Sequence, residues 1–137
     1  MKTRVFSVLA VVVALASPVA AQEERPYLGD NKPLNDALFA ILVADEIRNR
    51  CDSISGRVLK GVGMLWNLVN DAKDLGYTDD EIKAYRTSDE AKAVLRARGD
   101  ALMAEKNVSY DDPETFCRWG RDEIADQSLI GSLLRAK

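Results

Sequence analysis

Two cysteines, Cys51 and Cys117, are the sharpest chemical features of this 137-residue chain. A redox centre wants its thiols close in sequence, as in Cys-x-x-Cys, with one thiol pKa lowered. These two stand 66 positions apart. A structural zinc site needs four ligands, and two thiolates in a chain without histidine leave it half built. A structural disulfide needs only an oxidising compartment, so the pair predicts a Cys51–Cys117 bond.

The absence of histidine closes further chemistry: Ser-His-Asp and Cys-His nucleophiles, histidine general bases and most transition-metal sites. A glycosidase-type carboxylate pair or a lysine-based mechanism survives. With 22 Asp and Glu in the chain, near pairs arise by chance and spacing selects none. No catalytic residue, metal ligand or cofactor is predicted. The acidic runs Thr78-Asp79-Asp80-Glu81 and Thr87-Ser88-Asp89-Glu90 read as helix capping boxes. The segment KGVGMLW, residues 60–66, lacks the strand, the further glycines and the Lys-Ser/Thr end of a phosphate loop. Gly61 and Gly63 each cost a helix up to about 1 kcal/mol, which predicts close packing against a neighbouring helix as compensation.

The stretch CRWGRDEIADQS, residues 117–128, offers a candidate interaction surface. Phe116, Gly120 and Ile124 form a buried stripe, and Arg118, Trp119, Arg121, Asp122 and Glu123 fall away from it. Trp and Arg are the residue types that anchor protein interfaces. The structural alternative is an Arg118–Asp122 pair on the helix surface, with Trp119 covering the disulfide.

Elements must hold these residues. The chain opens MKTRVFSVLAVVVALASPVAAQ, where Lys2 and Arg4 precede an apolar run from Val5 to Ala16 and Ser17-Pro18 breaks it. This is the pattern of a secretory signal, with removal expected after Ala21. A membrane-spanning helix needs about 20 apolar residues, more than this run supplies. Without residues 1–21 the chain keeps 17 basic and 22 acidic residues, a net charge of −5. That sign argues against nucleic-acid or anionic-membrane partners. Export and a disulfide together predict a periplasmic location, with no membrane span in the mature chain.

Residues 22–32 read as a loose or extended leader, and residues 33–137 as one helical domain. Pro33 opens a first helix to about Arg50, with apolar Leu34, Leu38, Ile41, Leu42 and Ile47. Ser53 or Ser55 is expected to cap a second helix, whose stripe is Val58, Val62, Leu65, Trp66 and Val69 and whose stop is Gly76. Two helices follow the capping boxes, and Asp111-Asp112-Pro113-Glu114 starts the last long one. Ser128 restarts a short helix bearing Leu129, Ile130, Leu133 and Leu134. No β-hairpin signal is present. The prediction is therefore an all-α fold: a single small domain of about five helices closed by one disulfide, preceded by a cleaved signal peptide.

The signal peptide, GYTDDEIKAYRTSDEAK, DDPETFCRWGRDEIADQSLIGSLLR and the cysteine before DSIS resemble an uncharacterised family of small exported helical proteins from rhodobacter- and roseobacter-type alphaproteobacteria. The resemblance implies a periplasmic helical domain and brings no catalytic residues. The expected function is non-enzymatic binding of another periplasmic protein or an envelope component through the Arg118–Trp119 face. A periplasmic acid-stress chaperone and a carboxylate-dependent hydrolase of cell-wall glycan are the alternatives.

Overall fold

The computed structural model describes residues 25–137, so the expected signal segment lies outside the described residues. Six helices and a two-stranded antiparallel sheet follow in chain order. Helix α1 spans Lys32–Arg50; Asn31 caps it by accepting the Leu34 amide at 3.1 Å, and Pro33 sits in its first turn. It is the central element, burying Phe39, Ala40, Val43, Ala44 and Ile47.

The chain then runs through β1 (Ile54–Gly56) into α2 (Val58–Asp74). Neither expected serine caps α2: Ser55 lies in β1, and Arg57 stands at the cap position with no side-chain hydrogen bond to the helix. Gly76 does end the segment, at a φ of +92° that favours glycine. Helix α3 (Asp79–Thr87) has the full capping box, with Thr78 and Glu81 exchanging bonds of 3.2 and 2.7 Å. The second box is shifted by one residue. Ser88 caps α4 (Asp89–Glu105) by accepting the Ala91 amide at 3.0 Å, while the Thr87 hydroxyl donates back to Lys83 in α3. Asp112 and Pro113 start α5 (Pro113–Ala125), and Ser128 starts the short α6 (Leu129–Ser132).

The final strand, β2 (Leu134–Ala136), was not signalled by any hairpin pattern. It pairs with β1 in the register Ile54–Ala136, Ser55–Arg135 and Gly56–Leu134. Two three-residue strands some 80 positions apart share no turn, and a turn is what makes a hairpin legible. The sheet is a clasp: Ile54 and Leu134 are both fully buried, and the Lys137 amide donates to the Ser53 carbonyl at 3.0 Å.

The core gathers Phe39, Val43, Ile47, Phe116, Trp119 and Leu134 around the buried disulfide. Cys51 and Cys117 are bonded, with their Cα atoms 5.0 Å apart. Helix α5 can approach α1 and β1 because residue 120 is glycine. A Cβ there would lie 2.5 Å from Ile54 Cδ1 and 2.7 Å from Ile47 Cγ2. A second, smaller core joins Leu28, Ala72 and Tyr77. The described part of the leader is therefore docked rather than loose. Leu28 is buried in a short 3-10 turn, Tyr77 donates to the Pro26 carbonyl at 2.5 Å, and Arg25 pairs with Glu81 at 2.9 Å.

Candidate binding surface

The five residues proposed as an exposed interaction face do not share one. Trp119 is only 3% exposed and Glu123 7%. The indole N–H of Trp119 donates to Glu123 Oε1 at 2.9 Å, and the Ser128 hydroxyl donates to the other carboxylate oxygen. Lys106 Nζ lies 3.7 Å from the same carboxylate. Glu123 thus ties the end of α4 to α5 and the cap of α6, and both buried polar groups are satisfied. Arg118, Arg121 and Asp122 are exposed. Arg118 donates to the Asn107 carbonyl at 2.9 Å in place of the expected pairing with Asp122, and Arg121 pairs with Glu114 at 2.6 Å. The reason is the width of the buried arc: α5 packs on α1 with one side and on α6 with the next, so Trp119 and Glu123 turn inward with Phe116 and Gly120.

A run of large apolar side chains is left in solvent elsewhere, on the first turns of α2. Leu59 is 90% exposed and Trp66 66%, and Val58, Val62 and Leu65 are also exposed. The α2 stripe Val58, Val62, Leu65, Val69, Ala72 repeats at four and three residues, and it dips into the protein only at its far end, where Ala72 is buried. Leu59, Gly63 and Trp66 form a second line on the outer side of the same helix. The expected close packing at the glycines is absent: a Cβ at Gly61 or Gly63 would meet nothing within 4 Å. Between α2 and α1 lies a groove of about 320 Å³ lined by Ile41, Leu42, Ala44, Val62, Leu65 and Leu133, with Asp45 and Arg48 at its edge. These two charges neutralise one another at 2.5 Å.

A larger groove of about 670 Å³ separates α1 from α4. Its floor is Phe39, Val43, Leu95, Met103 and Trp119, and Leu42 forms the ridge it shares with the α1–α2 groove. At one end Arg50 pairs with Glu46 at 2.9 Å and stacks over Tyr110 at 4.8 Å. Burial, helped by the Glu46 carboxylate, pushes the Tyr110 phenol above its usual range. Beside the groove Arg98 lies 4.0 Å over the Phe39 ring and pairs with Asp36 at 2.8 Å. The Lys32 ammonium, followed by Arg98, holds the Asp36 carboxyl below its ordinary value.

Sequence comparison matches residues 26–135 to a family of unknown function, DUF5333. The chain belongs to that family. No curated protein and no solved structure matches it. The match runs from the docked leader to the closing strand, so the DUF5333 unit includes both the clasp and the α2 face. No helix among the described residues is long and apolar enough to cross a membrane. The disulfide and the lack of a spanning helix in this DUF5333 domain are compatible with export.

Neither surface was signalled in the sequence. Val58, Leu59, Val62, Leu65 and Trp66 span an arc of about 120° on the helix, the width of an ordinary core-facing stripe, so their exposure depends on which neighbours α2 meets. The α1–α4 groove depends likewise on how far α4 stands from α1.

Proposed function

We propose that the protein is a non-enzymatic binding module of the periplasm that receives an amphipathic helical segment of a partner protein on α2 and in the α1–α2 groove. The exposure of Val58, Leu59, Val62, Leu65 and Trp66 in one stretch of nine residues supports it. Contiguous apolar surface of this kind is uncommon on monomers and marks interaction sites, with Trp the strongest anchor. The groove chemistry favours a helix. Apart from Asp45, Arg48 and Arg57 its side chains are hydrocarbon, so an extended peptide would leave most of its amides unsatisfied there, whereas a helix arrives with its backbone already bonded. Asp45 and Arg48 at the edge cancel one another, and Arg57, which donates to the Leu134 carbonyl at 3.1 Å and makes no ion pair among the described residues, leaves one positive charge, which suits an apolar helix face flanked by an acidic residue.

A photo-crosslinker replacing Trp66, in protein exported by the native cell, tests this. The expected product joins position 66 to an amphipathic helix of a second protein, and a synthetic peptide of that sequence binds the wild type but not the Leu59→Asp, Trp66→Ala double variant. Crosslinks confined to a second copy of the chain, or no crosslinks, overturn it.

An acid-stress chaperone is the second reading, supported by the charge that anchors the leader and α3. The Thr78 backbone amide and hydroxyl, with Arg25 beyond them, hold the Glu81 carboxyl below its ordinary 4.5. The stabilisation from Glu81 is therefore complete above that value and is lost as pH falls through the lowered one, loosening the cover over the smaller core. Aggregation of a client enzyme near pH 3, followed by light scattering, would be suppressed on this reading; an unaffected time course rejects it.

A further inference from the structure

The α1–α4 groove differs from the α1–α2 groove in volume and in the placing of its charges. Its volume of about 670 Å³ falls in the range of small-ligand sites. Along α4, Lys92, Leu95, Arg96, Gly99 and Met103 recur at three and four residues and so share one face. Leu95 and Met103 contribute to the floor, while Lys92 and Arg96 stand exposed at one mouth. The other cations near the groove are already occupied, Arg50 at its Tyr110 end by Glu46 and Arg98 beside Phe39 by Asp36. Lys92 has only the exposed Asp89 at 3.9 Å, and Arg96 makes no ion pair among the described residues. The remaining groove carboxylate, Asp100, lies one turn further along α4, towards Tyr110. The groove is therefore basic at one mouth and apolar beneath.

Gly99 keeps it open. No atom lies within 4 Å of the position its Cβ would take, so a side chain there would project into free space over the floor. Helix α1 from Phe39 to Arg50 gives the trough a length of roughly 16 Å at 1.5 Å per residue. The lining has no row of backbone donors for a peptide strand. A hydrocarbon chain needs none, and an ammonium beside a guanidinium matches a carboxylate head.

We propose that the α1–α4 groove binds a single-chain fatty carboxylate, with its head between Lys92 and Arg96 and its tail on Phe39, Val43, Leu95 and Met103. The tail lies against Trp119, which gives the site its own reporter. The chain has two tryptophans, so in a Trp66→Phe background Trp119 is the sole indole.

Decanoate, laurate and dodecanol are titrated into this variant while its fluorescence is followed. The proposal expects saturable changes in Trp119 emission, with affinity rising about fourfold for each added methylene. Lys92→Glu with Arg96→Glu weakens laurate by about tenfold or more and leaves dodecanol unchanged. Gly99→Leu abolishes binding of both ligands while leaving the protein at least as resistant to urea, since it adds helix propensity without a clash. That pairing separates loss of the site from loss of the fold. Absence of saturable laurate binding overturns the proposal, as does dodecanol binding as tightly as laurate, or Gly99→Leu leaving affinity intact. Binding of an acidic helical peptide without measurable laurate binding assigns the groove to a protein and overturns it equally.

Discussion

Individual residues in this domain are constrained by what surrounds them far more than by their type. Gly120 and Gly131 illustrate contact-imposed glycine. A Cβ at Gly131 would lie 1.9 Å from the Glu123 carbonyl oxygen, and one at Gly120 would overlap Ile54 and Ile47. Gly120→Ala should cost about 1–3 kcal/mol by overpacking, and Gly131→Ala more, because the obstacle is backbone. Glu123→Ala strands the buried Trp119 N–H, and urea unfolding should show a loss of about 1–3 kcal/mol. Arg118→Ala, at an exposed position, should change stability by no more than about 0.5 kcal/mol. The charge on Glu81 adds a pH dependence. Its lowered pKa means that the melting-temperature gap between wild type and Glu81→Gln is present above pH 4.5 and closes as pH falls below it. A gap that widens on acidification would contradict the hydrogen bonds from Thr78 and the pairing with Arg25.

Helix α2 keeps its apolar period while breaking two local rules: no side chain caps its start, and Gly61 and Gly63 lie inside it. Its periodicity and its glycine stop were readable, but the sequence also contains two glycines with no steric reason to be there. Gly61→Ala and Gly63→Ala should each stabilise the free protein by up to about 1 kcal/mol, measured as a shift in the urea midpoint. The close-packing explanation predicts the opposite sign. Leu59→Lys, at a side chain that is 90% exposed, should leave that midpoint within about 0.5 kcal/mol of wild type while weakening any helix docked on α2. Residues that cost stability when kept and gain it when replaced are those expected where an element serves an interface.

At the scale of the molecule, two long-range closures hold the chain: the disulfide and the β1–β2 clasp. A loop of 66 residues makes the bond worth about 4 kcal/mol on the chain-entropy model, comparable with the whole stability of a small domain. The Cys51→Ser, Cys117→Ser double variant should lose about that amount, and reduction of the wild type should match it. Leu134→Ala should cost about 2–5 kcal/mol, because β2 brings this fully buried side chain against the packed helices. Hydrogen exchange should then show β1 and β2 opening together.

Most helix starts and the cysteine pairing were legible from the chain alone, while the cap of α2 was misplaced and the second capping box lay one residue off. The signals that held were short-range: Pro33, the Thr78–Glu81 box, Asp112-Pro113 and Ser128, each acting within four residues. Two cysteines allow only one intramolecular pairing, so distance in sequence did not obscure it. Faces were decided in three dimensions. Trp119 turned inward because α6 and the Ser128 cap supply a second wall and a partner for Glu123, while Leu59 and Trp66 stayed outside because no element among the described residues crosses α2 there. A helical repeat specifies which residues point the same way, but only the placement of neighbouring elements decides whether protein or solvent meets them.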